Sequence, residues 1–247
     1  MKEFDVIVIG GGMVGLAFAI EFSQKKNCSI AIVEPNTSNP SINKTFHTRV
    51  SAITPSSEAY LKSLNIWNDI KRKQVFVATK VWDQNSHGRL NFHAKDENME
   101  HLGYIIENDL IQSALFGGID KHKIEYINAK LSGLKKTNNG YEVNLDNQTN
   151  LSCQLLVGAD GANSQVRTLS AIEVTERDYQ QKAIIANIIS EKPFQQTTWQ
   201  RFLSDSIIAL LPLSENQASI VWSCKNHLAD ELTKLDGDKF NPSLSEA

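Results

Sequence analysis

Three glycines near the start of the chain have the spacing of a phosphate-binding turn. Gly10, Gly12 and Gly15 form G-x-G-x-x-G directly after the β-branched apolar run Val6–Ile9. In such a turn the first glycine permits a tight bend, the second lets a pyrophosphate approach the backbone, and the third lets a helix pack on the strand. The N–H groups at the start of that helix then face the diphosphate. These residues therefore predict dinucleotide binding.

The elements around the glycines have the order that this chemistry requires. We expect a buried strand before them, a helix over about Met13–Lys25 and a second strand over Ser29–Val33, which ends at Glu34. A carboxylate at Glu34 suits the two ribose hydroxyls and argues against a bound 2′-phosphate. The alternative for the glycines alone is a flexible loop, but the flanking elements favour a binding site. The motif leaves open whether the dinucleotide is NAD or FAD.

A second glycine turn follows a second apolar run near residue 160. Leu155–Val157 predicts a strand, Asp160-Gly161 a turn, and Ser164 the N-cap of a helix. Ligands of parallel sheets bind at the carboxyl ends of the strands, so Asp160 is expected to reach the same dinucleotide. An ordinary Asp-Gly turn explains these residues equally well when they are considered alone.

Composition excludes several classes of protein. The 247 residues are 41% hydrophobic and 21% charged, with a net charge of −3. This mildly acidic composition lacks the excess of basic residues that is typical of nucleic-acid-binding proteins. Three cysteines without metal-ligand spacing predict reduced, buried thiols and no metal site. With no signal peptide or membrane span evident, we expect a cytoplasmic protein whose membrane contact, if it has any, is peripheral at the inner face.

The rest of the chain predicts an α/β protein with two domains. Strands are expected over Val75–Trp82 and Arg89–His93, with a hairpin at Asn138–Gly140. Four strand-like runs between residues 180 and 223 have no long helices between them, which favours an antiparallel sheet. Trp82, Trp199 and Trp222 suggest an apolar wall there, although ordinary core packing explains each singly. We assign residues 1–74 and 101–178 to a Rossmann-like FAD/NAD(P)-binding domain, and residues 75–100 and 179–247 to a substrate domain.

Three longer motifs carry a family resemblance. GGGMVGLAFA near the N-terminus, GADGANSQVR near residue 160 and TTWQRFLSDSIIALLPLS at 197–214 resemble the FAD-dependent aromatic hydroxylases, a family similar to p-hydroxybenzoate hydroxylase. RVSAIT, GYIIEND, WQRF and ALLPL narrow the resemblance to the branch that hydroxylates polyprenyl phenols in ubiquinone biosynthesis. The motifs match in order and spacing over nearly the whole chain.

The resemblance implies roles for individual residues. Gly10, Gly12 and Gly15 would hold the FAD pyrophosphate, Glu34 the adenosine ribose, Arg49 a further part of FAD, and Asp160 with Gly161 the region near the pyrophosphate. The alternative for Arg49 is a solvated surface charge. Asn108 stands where relatives often carry Arg, so it is assigned no cofactor contact. No catalytic residue is assigned.

The resemblance also implies a reaction. NAD(P)H would be the reductant, O₂ the oxygen source and a polyprenyl phenol the substrate, with a ubiquinone-biosynthesis complex as a potential partner. Relatives continue into a G-D-A-A-H-x-x-x-P segment, which is not found before Ala247, so we expect a truncated chain that could be inactive alone. Two alternatives stay open: a non-catalytic FAD-binding remnant or assembly partner, and an NAD-dependent dehydrogenase.

Overall fold

The computed structural model describes residues 1–36 and 45–247. The stretch Pro35–Thr48 is rich in Asn, Ser, Pro and Thr, which predicts a loop, and part of it lies outside the described residues. In chain order, the strands and α-helices are β1 (Lys2–Ile9), α1 (Met13–Lys25), β2 (Ile30–Val33), β3 (Val50–Ile53), α2 (Pro55–Ser63), β4 (Gln74–Phe76), β5 (Ala78–Asp83), β6 (Arg89–His93), β7 (Gly103–Glu107), α3 (Asn108–Gly118), β8 (Glu125–Ile127), β9 (Leu131–Thr137), β10 (Gly140–Leu145), β11 (Asn150–Gly158), α4 (Gln165–Leu169), β12 (Gln181–Ile189), β13 (Thr197–Phe202), β14 (Ser206–Pro212), β15 (Gln217–Lys225), α5 (Asn226–Leu232) and α6 (Gly237–Glu246).

The chain forms two compact units. The first contains Met1–Ile42, Leu61–Ile70 and Asp109–Thr175, and the second contains Asn43–Tyr60, Lys71–Asn108 and Glu176–Ala247. The division of functions between a cofactor domain and a substrate domain stays a prediction. Each helix of the described residues is too short or too polar to cross a lipid bilayer.

The first unit contains one mixed sheet with the strand order β8-β2-β1-β11-β10-β9. The strands from β8 to β11 are parallel, and β10 and β9 extend the sheet as an antiparallel hairpin. Ile7, Ile32 and Leu151 are fully buried, because a parallel sheet covered on both faces needs apolar side chains on both. The predicted α1 and the predicted hairpin at Asn138–Gly140 are confirmed.

The second unit contains two sheets. The larger has the order β12-β15-β14-β13-β5-β6, and the smaller has the order β3-β7-β4. β12, β13, β14 and β15 pair antiparallel, which confirms the prediction for residues 180 to 223, whereas β5 lies parallel to β13. The α/β fold class with a mainly antiparallel second sheet is therefore confirmed.

The strand predicted over Val75–Trp82 is wrong in one respect, because it is two strands in different sheets. Val77 separates them: its N–H donates to the carbonyl of Gln196 at 2.8 Å, and its carbonyl accepts from Ala94 at 2.8 Å. β4 pairs with β7, and β5 pairs with β6 and β13. The strand-like pattern of the sequence continues through Val77. The sequence therefore does not indicate that β4 and β5 pair with different strands.

The tryptophans differ from the predicted apolar wall, and the tail, Asp230–Ala247, is polar in the sequence but forms packed helix. Trp82 and Trp199 meet edge to face with ring centroids 6.0 Å apart, but Trp222 is separately buried and packs on Phe240 of α6. The tail after residue 230, which reads as polar, forms the end of α5 and all of α6. Phe240 and Leu244, four residues apart, give α6 one apolar face that packs against the sheet.

One of the three cysteines departs from the predicted burial. Cys153 and Cys224 are buried, whereas Cys28 is half-buried, and all three thiols are free. Burial raises the pKa of the Cys153 thiol to about 11. That thiol therefore stays protonated at neutral pH and acts as an apolar core group.

Candidate dinucleotide site

The carboxyl ends of three parallel strands meet at one edge of the first sheet. Ile9 of β1 lies between Val33 of β2 and Gly158 of β11 in the register. The N–H of Gly10 donates to the carbonyl of Val33 at 2.9 Å, and the N–H of Ala159 donates to the carbonyl of Ile9 at 2.7 Å. Both glycine turns and the end of β2 are therefore brought together at this edge.

Gly10 and Gly15 are required by close backbone contacts. A Cβ on Gly10 would lie 2.3 Å from the carbonyl oxygen of Ala159, and the φ of Gly10 is +109°. A Cβ on Gly15 would lie 2.0 Å from the carbonyl oxygen of Gly10. These glycines allow the turn after β1 to pack against the turn after β11 and allow α1 to begin close to β1.

Gly12 differs from its neighbours because its Cβ position meets open space, with no atom within 4 Å. It is the N-cap of α1, its extended backbone has φ −74° and ψ 177°, and no side chain caps the helix. The first turn of α1 also lacks an acidic residue. Among the described residues, no side chain accepts from the first N–H groups of this 13-residue helix, and an anionic diphosphate fits as their acceptor.

Glu34 lies at the edge of the same turn and is half-buried. Its Oε2 accepts from the N–H of Gly11 at 2.9 Å, and its Oε1 accepts from the N–H of Asn36 at 3.0 Å. A Cβ on Gly11 would lie 2.8 Å from Cγ of Glu34. Oε1 also accepts from Nδ2 of Asn36 at 3.1 Å. A carboxylate has about four lone-pair sites, so one site of Glu34 remains for a hydroxyl donor, and a second donor would have to displace the side chain of Asn36.

Two neighbours of this turn were not identified from the sequence. The hydroxyl of Tyr126 on β8 donates to the carbonyl of Asn36 at 2.9 Å, and Gln112 of α3 donates through Nε2 to the carbonyl of Gly11 at 3.1 Å. Burial, and then the charge of Glu34, raise the pKa of Tyr126 to about 12. Only the packing of β8 and α3 brings these residues to the turn.

Asp160 has a different environment from Glu34. Its Oδ1 accepts from the hydroxyl of Ser164 at 2.6 Å, and its Oδ2 accepts from the N–H groups of Gln165 at 2.6 Å and Val166 at 3.1 Å. Burial raises the pKa of Asp160, but these hydrogen bonds outweigh burial, so the pKa lies below its ordinary value. Ser164 is the predicted N-cap of α4 and accepts from the N–H of Arg167 at 3.0 Å.

A cavity of about 430 Å³ connects these parts of the first unit. It is lined by residues of both turns and the end of β2, among them Gly10, Gly12, Glu34, Asp160 and Gly161. Gly161 has φ +81°, and its Cβ position also meets open space. Six of the seven predicted cofactor residues thus belong to one unit, and five of them line this cavity, while Gly15 supports it from α1.

Arg49 is the seventh predicted residue and belongs to the second unit. It immediately precedes β3, and its side chain is exposed. Within residues 1–36 and 45–247, no hydrogen bond or ion pair is formed by its guanidinium. Among the same residues, no group of three or more His, Cys, Asp or Glu side chains is placed to hold a metal ion.

The family model and the curated relatives that match this chain agree with one another. The model of a FAD binding domain family matches residues 3–247. The chain is 33% identical over 266 residues to the mitochondrial ubiquinone biosynthesis monooxygenase COQ6 of Mus musculus, covering 99% of this chain and 55% of that protein. It is 30% identical over 223 residues to the 3-demethoxyubiquinol 3-hydroxylase of Escherichia coli, covering 88% of this chain and 56% of that protein. The chain spans about half the length of the curated relatives it matches.

Solved structures share the fold at low sequence identity. PqsL of Pseudomonas aeruginosa has a TM-score of 0.78 at 16% identity, covering 94% of this chain and 63% of PqsL. The p-nitrophenol 4-monooxygenase PnpA of Pseudomonas putida has a TM-score of 0.73 at 15% identity, covering 100% of this chain and 62% of PnpA. At this identity the comparison establishes the fold alone.

Proposed function

The chain belongs to the FAD binding domain family, and we propose from this membership that it is the FAD-binding part of a monooxygenase of ubiquinone biosynthesis. The substrate is the aromatic ring of a polyprenylated phenol, NAD(P)H is the reductant and O₂ supplies the oxygen atom. The names of the curated relatives, a ubiquinone biosynthesis monooxygenase and a 3-demethoxyubiquinol 3-hydroxylase, support this substrate class.

The observation that carries the proposal is the open N-terminus of α1. Its cap residue, Gly12, faces open space at the 430 Å³ cavity. Glu34 lines the same cavity with one acceptor site open, and a second opens if a ligand displaces the exposed side chain of Asn36. A diphosphate next to a ribose satisfies both features at once, because one part is an anion and the other carries two hydroxyl donors.

The residues of the first unit have different roles in binding FAD. Gly10 and Gly15 hold the two turns and α1 together, the N–H groups at Gly12 and the start of α1 bind the diphosphate, and Glu34 accepts from the ribose hydroxyls. Gly161 lines the same cavity and offers its backbone. Asp160 acts mainly by fixing the turn that carries Gly161, because its own oxygens are engaged by α4.

Arg49 contacts a further part of FAD, and its exposed guanidinium, which has no partner among residues 1–36 and 45–247, supports this role. Bound FAD would supply the redox chemistry: one oxygen atom of O₂ enters the ring, and the two electrons of NAD(P)H reduce the other oxygen atom to water. Residues 75–100 and 179–247 form the substrate domain. The protein works at the membrane surface, where its polyprenyl substrate partitions, and it associates with other proteins of the pathway.

The cofactor assignment is tested by titrating the protein with FAD. Replacing Glu34 removes two charge-assisted hydrogen bonds, so Glu34→Ala is expected to cost about 2 to 4 kcal/mol of FAD binding, about 30-fold to 1,000-fold in Kd. Glu125→Ala is the matched control, since Glu125 is a carboxylate of the same unit whose ion pair with Lys2 is exposed. A Glu34→Ala protein whose Kd for FAD lies within about threefold of the wild-type value would refute the ribose contact.

The reaction is tested by measuring NAD(P)H oxidation and hydroxylated product with a polyprenylated phenol. Product formed in proportion to NAD(P)H supports the monooxygenase. The measurement is made on this chain and on a full-length version, and FAD binding without hydroxylation by the full-length version supports a non-catalytic FAD-binding role. The family match argues against an NAD-dependent dehydrogenase, and a protein that purifies colourless and binds NAD but not FAD would restore that alternative.

A further inference from the structure

A buried carboxylate in the second unit lies at the segment that carries Arg49. Glu107, at the end of β7, is only 4% exposed. Its Oε1 accepts from the backbone N–H of His47 at 2.7 Å. Arg72 donates to the same carboxylate twice, from Nη2 to Oε1 and from Nε to Oε2, both at 2.9 Å. This two-bond fork neutralises the charge and fixes the carboxylate in one orientation.

The segment from Phe46 to Arg49 has no regular secondary structure, so other parts of the unit bind its backbone. Asn187 of β12 donates to the carbonyl of Phe46 at 2.8 Å, and Ser219 of β15 donates to the carbonyl of Thr48 at 3.0 Å. The N–H of Asn108 donates to the carbonyl of Arg49 at 3.1 Å. The segment is therefore held by three strands and the start of α3.

Packing reinforces these hydrogen bonds. The guanidinium of Arg72 lies over the ring of Phe46, 5.0 Å from its centroid. Phe46 and Val50 pack against the cluster of Phe76, Ile105 and Leu213. The apolar side chains on either side of Arg49 are thereby anchored, while the side chain of Arg49 itself is exposed.

We propose that Glu107, oriented by Arg72, is a positioning residue that fixes the backbone from Phe46 to Arg49 and thereby presents the Arg49 guanidinium to FAD. The inference rests on the proposed function, since it takes Arg49 to contact FAD. A cation on a fixed backbone loses less conformational entropy when it binds an anionic ligand, so its contact is stronger than that of the same side chain on a mobile loop. Glu107 acts through Arg49 and makes no contact with the cofactor itself.

The first experiment tests, on the protein without FAD, whether Glu107 fixes the backbone from Phe46 to Arg49. Hydrogen exchange of the amides of His47 and Arg49 is expected to be about tenfold faster or more in Glu107→Gln, the factor that one lost hydrogen bond gives. Arg72→Lys keeps the charge pair but loses the fork, so it should give a smaller increase. Glu58→Gln is the control, because Glu58 is a buried carboxylate of the same unit that pairs with His101 at 2.7 Å. Unchanged exchange in a cooperatively folded Glu107→Gln protein overturns the proposal.

The action through Arg49 is tested by a double-mutant cycle on the Kd for FAD. Glu107→Gln should weaken FAD binding about tenfold when Arg49 is present, and by less than about twofold in the Arg49→Ala background. Equal weakening in both backgrounds would show a general loss of structure and overturn the proposal, as would an Arg49→Ala protein with unchanged Kd. A full-length version that binds no FAD refutes the proposed function, whereas the exchange experiment tests Glu107 whether or not FAD binds.

Discussion

The first unit contains two neighbouring strand–turn–helix segments. They differ in how the N-terminus of the helix is capped. β1 and β11 are adjacent and parallel, and each leads through a glycine turn into a helix. At the first turn, the N-terminus of α1 has neither a side-chain cap nor an acidic residue. At the second, Ser164 and Asp160 together bind three N–H groups of α4.

The difference shows which helix terminus is available to a ligand. The N–H groups of α4 already have anionic or hydroxyl acceptors from their own chain, so an external anion has little to gain there. The first N–H groups of α1 lack such partners from side chains. A strand, a glycine turn and a helix therefore do not by themselves define a phosphate site. In the part of the chain that the structure describes, the lack of a side-chain cap distinguishes the proposed site from the structural turn.

The largest expected effect contrasts two glycines of the first turn. Gly10→Ala forces a Cβ to 2.3 Å from the carbonyl oxygen of Ala159, so we expect it to lower the free energy of unfolding by more than about 4 kcal/mol or to prevent folding. Gly12→Ala meets open space and should cost about 1 kcal/mol or less. It should nevertheless weaken FAD binding about tenfold or more, because the methyl group projects into the space assigned to the diphosphate.

Chemical denaturation and FAD titration of the two variants measure these effects. A Gly12→Ala protein that binds FAD as tightly as wild type would show that the open N-terminus of α1 is not the diphosphate site. A stable Gly10→Ala protein would show that the two turns do not pack as closely as described.

A substitution in the second turn is expected to change the free energy of unfolding more than the affinity for FAD. Asp160→Asn loses charged acceptors for Gln165 and Val166, so the free energy of unfolding should fall by about 2 kcal/mol at neutral pH. The folded-state pKa of Asp160 is depressed, so this stabilisation is present above the unfolded pKa of about 3.9 and is lost as pH falls through the lower folded value. Urea unfolding from pH 7 to pH 3 should show the two proteins converging at the acid end. A difference that stays constant over this range would contradict the assignment.

The smallest effect concerns the charge of Glu34 beside the first turn. Burial and the Glu34 carboxylate together raise the pKa of Tyr126 to about 12, so Glu34→Gln should lower that pKa while leaving it above the ordinary value of about 10. Titration of ¹³C-labelled tyrosine by NMR, with Tyr126→Phe to assign the signal, measures the shift. An unchanged Tyr126 pKa would mean that the carboxylate does not face the hydroxyl.

Local features of this protein were predictable because they depend on residues close together in the chain. The bounds of α1, the hairpin at Asn138–Gly140 and the N-cap at Ser164 follow from glycine sterics, hydrophobic periodicity and short-range hydrogen bonds. The break at Val77 was not predictable, since the residues before and after it have the same alternation. Their different partners are set by strands far away in the sequence.

The amino-acid sequence alone determined where the proposed binding turn lies, through the spacing of Gly10, Gly12 and Gly15, and where the acid proposed for the ribose lies, at Glu34. Only the tertiary structure decided that Asp160 caps a helix and that Glu107 binds the backbone of His47, which is 60 residues away along the chain. The physical reason is that a hydrogen-bonding group has many potential partners in a sequence. Folding selects one of them by bringing distant strands into register and burying the pair where no water can replace the partner.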